Sequence, residues 1–242
     1  MDILKLRDWY RTPMGHMVRR ALQSYLNDFW PDLMGKRILV LGYGVPYIHL
    51  WMKEANIFCA MLPAMGVMPW PEDKPNRSCL VWESDLPFED CYFDGILIAH
   101  GLEFTENDVQ TLKECRRVLK TEGRILSIVP NRAGGWCRRE ISPFSRGKPY
   151  SSGQMSKVLR QSDFMITQST FALFTPPSSK RWIQRHSASF EKAGQRWWGP
   201  LGGVMITEAK KDIHGGSVVR VSEPHNRSML PQQTAGATMN GQ

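Results

Sequence analysis

Between residues 9 and 30, apolar side chains recur every three or four positions. Trp9, Met14, Met17, Val18, Ala21, Leu22, Tyr25, Leu26 and Phe29 share one face, while Arg19 and Arg20 lie off it. That spacing predicts an amphipathic helix closed by Pro31. The period then changes. Arg37-Ile38-Leu39-Val40-Leu41 is short, continuously apolar and ended by Gly42, as a strand buried on both faces of a parallel sheet would be. A helix is predicted over 45–54 and a second strand over 56–61. Residues 63–77 carry Pro63, Pro69, Pro71 and Pro75, with Trp70 between two of them. Prolines this dense remove backbone donors and block a helix interior, so an irregular loop is predicted where a crossover helix would ordinarily stand.

Strands are predicted over 79–82, 93–99 and 124–130. Between the last two, Val109, Leu112, Cys115 and Leu119 mark a helix over 107–119, with Gly123 as its C-terminal stop. A helix over 154–161, a strand over 165–173, a helix over 180–193 and a strand over 203–209 complete the pattern. Strand alternating with helix predicts an α/β fold with a doubly wound, mostly parallel sheet and helices on both faces. Beyond Ile213 the chain is mainly Gly, Ser, Pro, Gln, Asn and Thr, a composition that predicts a disordered tail. The expected organisation is an N-terminal helical cap over 1–35, the α/β domain over 36–212 and the tail over 213–242.

Composition narrows the partners only a little. The chain has 242 residues, 42% of them hydrophobic, and nowhere an apolar run long enough to span a bilayer. The mixed charges of residues 1–8 lack the apolar block of a secretory signal, so a cytoplasmic location is expected. Five cysteines without C-x-x-C spacing argue against a disulfide framework and against a zinc site. The net charge of +8 admits an anionic partner such as RNA, an acidic lipid surface or a phosphorylated substrate, and equally a solvated basic surface.

The turn Gly42-Tyr43-Gly44-Val45-Pro46-Tyr47 follows the first strand. A glycine turn there lets a ligand approach the backbone, but Tyr47 stands where a dinucleotide fingerprint needs its last glycine. More specific stretches follow. Asp85-Leu86-Pro87-Phe88-Glu89-Asp90-Cys91-Tyr92-Phe93-Asp94-Gly95-Ile96-Leu97, Ala99-His100-Gly101-Leu102-Glu103 and Leu112-Lys113-Glu114-Cys115-Arg116-Arg117-Val118-Leu119-Lys120-Thr121-Glu122-Gly123-Arg124 resemble, in order and spacing, segments of class I S-adenosylmethionine-dependent methyltransferases of the type 11 group. With the glycine turn, the resemblance covers roughly residues 36–130.

It implies a seven-stranded sheet with an antiparallel last strand, S-adenosylmethionine as cofactor, and methyl transfer to an unidentified acceptor, a small molecule by expectation. Carried over position by position, Gly42, Tyr43, Gly44 and Pro46 would approach the methionine moiety, with Leu62 at the end of the second strand. Glu83, Ser84, Asp85 and Leu86 would border the adenine. His100, Gly101 and Leu102 would line the floor near the sulfonium, and His100 and Glu103 are the candidate catalytic residues. No metal ligand is implied. The sequence departs from the family at Val40, where an acid is usual, at Pro46, where a glycine is usual, and at Met61-Leu62-Pro63, where an acid usually accepts the ribose hydroxyls. The alternative is a catalytically degenerate scaffold that binds RNA or a protein through its basic surface. After the fifth strand, basic residues alternate with Trp136, Phe144 and Tyr150, which suits an anionic or aromatic acceptor, including an unstacked RNA base, and equally a mobile, solvated cover over the site.

Overall fold

The first helical stretch is two helices rather than one. In the computed structural model, which describes residues 2–72 and 74–212, α1 (Ile3–Tyr10) and α2 (Pro13–Phe29) are separated by a break at Arg11 and Thr12. The tail predicted over 213–242 lies outside the described residues. The break has a local cause. Thr12 caps α2 by accepting from the Gly15 N–H at 3.1 Å, and Pro13 sits at the first turn, where its missing N–H costs nothing. Asp2 caps α1 in the same way, accepting from the Leu4 N–H at 2.7 Å. The charges of residues 1–8 hid this helix from a period count: Ile3, Leu6 and Tyr10 point inward, and Lys5 and Asp8 outward.

Seven strands form one sheet in the order β3-β2-β1-β4-β5-β7-β6. They are β1 (Arg37–Gly42), β2 (Asn56–Met61), β3 (Ser78–Leu80), β4 (Phe93–Ala99), β5 (Leu119–Pro130), β6 (Phe164–Ala172) and β7 (Val204–Lys211). All pairings are parallel except those of β7 with β5 and with β6. The central strands are apolar on both faces because helices and loops cover both: Ile38, Leu39, Val40 and Leu41, like Ile96, Leu97 and Ile98, are almost wholly buried. From α2, Val18, Leu22 and Leu26 join the same core. Each such fully buried side chain contributes about 1.5–3 kcal/mol relative to exposure, so α2 is held firmly on the sheet.

The remaining helices are α3 (Asp108–Val118), α4 (Ser152–Gln161), α5 (Arg181–Arg185) and α6 (Ser187–Trp197). Three sequence expectations are corrected. The helix predicted over 45–54 is a single 3-10 turn, Ile48–Leu50, with turns on either side of it. Gly123 is not a helix stop but an interior residue of β5, which begins at Leu119 directly after α3. The helix predicted over 180–193 is the pair α5 and α6, broken at His186. The proline-rich loop is irregular, as its composition requires.

Candidate active site

The site grows from the close approach of β1 and β4 at their carboxyl ends. Gly42 has φ +88°, and a Cβ there would lie 2.5 Å from the Ala99 carbonyl oxygen and 2.6 Å from that of His100. The Tyr43 N–H donates to the Ala99 carbonyl at 2.7 Å. At Gly44 a Cβ would lie 2.5 Å from Val40 Cγ1. Both glycines are therefore required by the packing of the chain on itself.

His100 follows β4 with φ +48°, a left-handed conformation unusual for a residue with a side chain. Such strain costs on the order of 1–3 kcal/mol and concentrates at functional positions. The strained backbone turns the imidazole into a buried polar chain. Tyr47 hydrogen-bonds Tyr10, Tyr10 hydrogen-bonds His100 Nε2 at 2.7 Å, and His100 Nδ1 lies 3.2 Å from Glu103 Oε1. That last pair is off the line of a hydrogen bond, so His100 Nδ1 and both Glu103 oxygens are buried without a hydrogen-bond partner among the described residues. Glu103 facing Nδ1 favours the tautomer that carries its proton there, leaving Nε2 to accept from the Tyr10 O–H while the Tyr47 O–H donates to Tyr10. Burial pushes both phenols well above the usual tyrosine pKa, against the partial relief that Tyr47 draws from its bond to Tyr10.

Rings close over this chain. Trp9 meets Tyr10 edge-on at 4.9 Å, and Phe144 lies 5.0 Å from the His100 ring at a tilt of 35°. The aromatic residues after β5, expected to offer stacking surfaces, are buried instead. Trp136 donates its indole N–H to the Thr175 carbonyl at 2.8 Å, and Tyr150 its hydroxyl to the Leu102 carbonyl at 3.0 Å. A buried indole or phenol is held where its polar atom finds a partner, so these rings became walls. Arg132, Arg138, Arg139 and Arg146 of the same stretch remain exposed.

Beside the glycine turn lies a cavity of about 380 Å³, bounded by Tyr10, Tyr43, Pro46, Met68 and Trp70, with Arg7, Arg11, Arg19 and Glu72 among its polar walls. Arg19 Nε is buried without a hydrogen-bond partner among the described residues, and Glu72 lies 3.5 Å from Arg11. Of the sequence-predicted residues, Tyr43 and Pro46 face this cavity. Gly42, Gly44, Leu62, His100, Gly101 and Leu102 are buried behind it. Glu83, Ser84 and Asp85 form a tight turn closed by the Trp82–Asp85 bridge and do not wall the cavity. Leu86 is buried, its N–H donating to Glu114 Oε2 at 3.2 Å and its carbonyl accepting from Arg117 at 2.8 Å. Sequence reasoning missed Tyr10, Arg7, Arg19 and Glu72. Arg19 was visible only as a charge off the apolar stripe of α2, and Glu72 as one residue of an irregular loop. A separate cavity of about 350 Å³, lined by Trp30, Lys36, Asp94 and Lys120, lies at the opposite end of β1 and β4 and away from this chemistry.

Known proteins share this architecture. A family model described as "Methyltransferase domain" matches residues 76–127, from the approach to β3 into β5. The uncharacterized protein YafS of Escherichia coli (strain K12) is 28% identical over 163 residues, a match spanning 65% of this chain and 62% of that protein. A Thermotoga maritima structure described as a SAM-dependent methyltransferase, "possible histamine N-methyltransferase", superposes with TM-score 0.63 at 15% identity, covering 86% of this chain and 95% of its own. A SAM-dependent methyltransferase from Archaeoglobus fulgidus gives 0.57 at 19% identity, covering 80% and 94%. At such identities the superpositions speak for the fold, and the matched segment supplies the sequence pattern. Strand order and superpositions give the chain the fold of class I S-adenosylmethionine-dependent methyltransferases, and residues 76–127 carry the methyltransferase-domain sequence pattern.

Proposed function

We propose that the protein transfers a methyl group from S-adenosylmethionine to a small, anionic acceptor, with the cofactor in the cavity beside Gly42–Gly44 and His100 as general base. The observation that carries this reading is Tyr10, which both walls the cavity and hydrogen-bonds His100 Nε2. It joins the expected cofactor position to the strained histidine.

The cavity residues fit the cofactor's chemistry. Its volume falls in the usual range for small-ligand sites. The unpartnered Arg19 Nε, with Arg7, suits a carboxylate, and the rings of Tyr10 and Tyr43 suit a sulfonium cation. Trp70 and Met68 offer apolar cover for a flat base. The acid absent from the end of β2 has a substitute in Glu72 of the proline-rich loop, which would accept the ribose hydroxyls. When bound, S-adenosylmethionine supplies an electrophilic methyl group. The chain's own residues would hold its charged ends, position the acceptor and take up the acceptor's proton at His100 Nε2. Glu103 then stabilises the imidazolium across the 3.2 Å gap to Nδ1. For the acceptor to reach Nε2, the Tyr10 hydroxyl must leave it, so the Tyr10 side chain has to swing away during turnover. The exposed arginines after β5, without exposed rings beside them, favour an anionic acceptor over a stacked base.

Titrating S-adenosylmethionine and S-adenosylhomocysteine into the full chain by calorimetry tests the cofactor assignment. Both should bind. Arg19→Ala should weaken binding about tenfold or more, and Glu72→Gln about three- to tenfold. Absence of heat with either ligand at about 1 mM would leave the degenerate-scaffold reading standing in its place.

A further inference from the structure

Between β6 and β7 the chain leaves its largest apolar side chains in solvent. Trp197 at the end of α6 is 71% exposed, Trp198 53% and Leu201 57%, and Trp182 in α5 is 58% exposed. An indole carries a large apolar area that a folded chain normally covers, and a group of them left bare marks a surface meant to be covered by something else. The cations Lys180, Arg181, Arg185, Lys192 and Arg196 surround these side chains in sequence, and all are exposed. The Arg196 guanidinium lies 5.8 Å from the centre of the Trp197 ring.

The stretch has one acid, and it points inward. Glu191 accepts from the Tyr25 hydroxyl and the Leu173 N–H, each at 3.1 Å, and from the Thr175 N–H at 3.3 Å. Its charge is taken up inside the fold, and the outer surface stays positive. The apolar tip is firmly mounted. The Asn131 side-chain amide donates to the carbonyls of Pro200 at 2.8 Å and Gly202 at 2.7 Å, fixing the tip to the end of β5. Because Pro130 pairs with Val204, the tip stands at the carboxyl end of β5, the same end of the sheet as the candidate active site.

We propose that this tip docks the protein on an anionic lipid surface, with Trp197, Trp198 and Leu201 entering the headgroup layer and Lys192 and Arg196 meeting lipid phosphates. Charge complementarity selects the anionic surface, and side-chain type selects lipid. Adjacent indoles and an aliphatic neighbour flanked by Arg and Lys are the pattern of an interfacial anchor. A nucleic-acid strand instead stacks its bases on rings set along a charged groove, and Leu201 has no ring to offer. The attachment is peripheral: no helix among the described residues is long and apolar enough to cross a membrane.

Co-sedimentation of the full chain with vesicles tests the proposal. Vesicles of phosphatidylcholine with roughly one quarter phosphatidylglycerol should bind the protein, and phosphatidylcholine alone should bind it at least about tenfold less. Binding to the anionic vesicles should fall as salt rises. The double variant Trp197→Ala/Trp198→Ala should lose about tenfold or more in partitioning, as should Lys192→Glu/Arg196→Glu. The second pair changes only exposed charges and keeps the test sound if the first pair fails to fold. Equal binding to both vesicle types, no binding at low salt, or either folded variant binding like the wild type would overturn the proposal. So would salt-sensitive binding of oligouridylate by a protein that leaves vesicles in the supernatant.

Discussion

Removing one oxygen atom, the Tyr10 hydroxyl, should cost more than any other conservative change among the site tyrosines. In the wild type this hydroxyl stands between Tyr47 and His100 Nε2, and Tyr10 is 4% exposed. Tyr10→Phe keeps the ring and its contacts with Trp9 and Tyr43 but strands two buried polar atoms. A buried polar atom left without a partner costs about 1–3 kcal/mol. Some relaxation is available to the Tyr47 hydroxyl, so a loss of about 2–3 kcal/mol is expected for the pair. For a chain of this size each kcal/mol lowers Tm by about 2–4 °C, which gives a drop of roughly 5–10 °C. Tyr47→Phe removes only the end of the chain and should cost about 1 kcal/mol. Tyr43→Phe is the control, because its ring packs 6.1 Å from that of Tyr10 while its hydroxyl takes no part in the chain; its Tm should stay within about 2 °C. The sign of the pH dependence also follows. Burial raises the Tyr10 and Tyr47 pKa values, so the unfolded chain ionises first. The stability they contribute is complete below about pH 10 and is lost as pH rises beyond it. Tyr10→Phe should flatten that alkaline loss. Thermal melts from pH 7 to 11 check both points. A Tyr10→Phe protein melting within about 2 °C of the wild type, or a Tyr43→Phe loss of equal size, would refute the buried chain.

Other perturbations probe the frame around the site. Gly42→Ala forces a side chain into φ +88° and against two carbonyl oxygens at 2.5 and 2.6 Å; soluble yield and Tm should both fall sharply. Arg117 donates to the carbonyls of Phe88 and Leu86, each at 2.8 Å, and to Glu114 and Asp90. Lysine lacks the planar fork for these bonds, so Arg117→Lys should cost about 1–2 kcal/mol and speed amide exchange through residues 83–90. For Asp94, burial alone would raise the carboxyl pKa, but the Arg37 N–H at 2.9 Å and the Lys120 ammonium at 2.7 Å outweigh it and hold the value below the usual range. Its stabilisation is present above about pH 4 and lost as pH falls further. Asp94→Asn should therefore lower Tm at pH 7, with the gap to the wild type closing in acid.

The sheet was legible because its signal is local. Ile38 to Leu41 and Ile96 to Ala99 are continuous apolar runs ended by a glycine or a strained residue, and the structure places strands on both. The proline-rich loop was equally plain, since a missing N–H is written in the residue itself. What failed was whatever depends on a distant partner. The rings of Trp136 and Tyr150 looked like exposed platforms among arginines, yet the carbonyls of Thr175 and Leu102 that draw them inward lie 39 and 48 residues away. Glu72 and Arg19 share a cavity only because the loop after β2 folds back to α2, a closure that no spacing rule encodes.

The glycine turn shows why family motifs carry a site over imperfectly. Gly42 and Gly44 are conformationally necessary whether or not a ligand is bound, since one spaces β1 from β4 and the other accommodates Val40. Their presence thus reports on the fold. The chemistry has to be read from groups the fold leaves unpaired: the Arg19 Nε at the cavity, and His100 Nδ1 with Glu103 beneath Tyr10. A fold without use for these groups would do better to replace them with apolar side chains, because each stranded buried polar atom costs about 1–3 kcal/mol. They lie beside a left-handed histidine, and on the proposed reading a ligand at this end of the sheet would pair with them, passing Tyr10 to reach the imidazole.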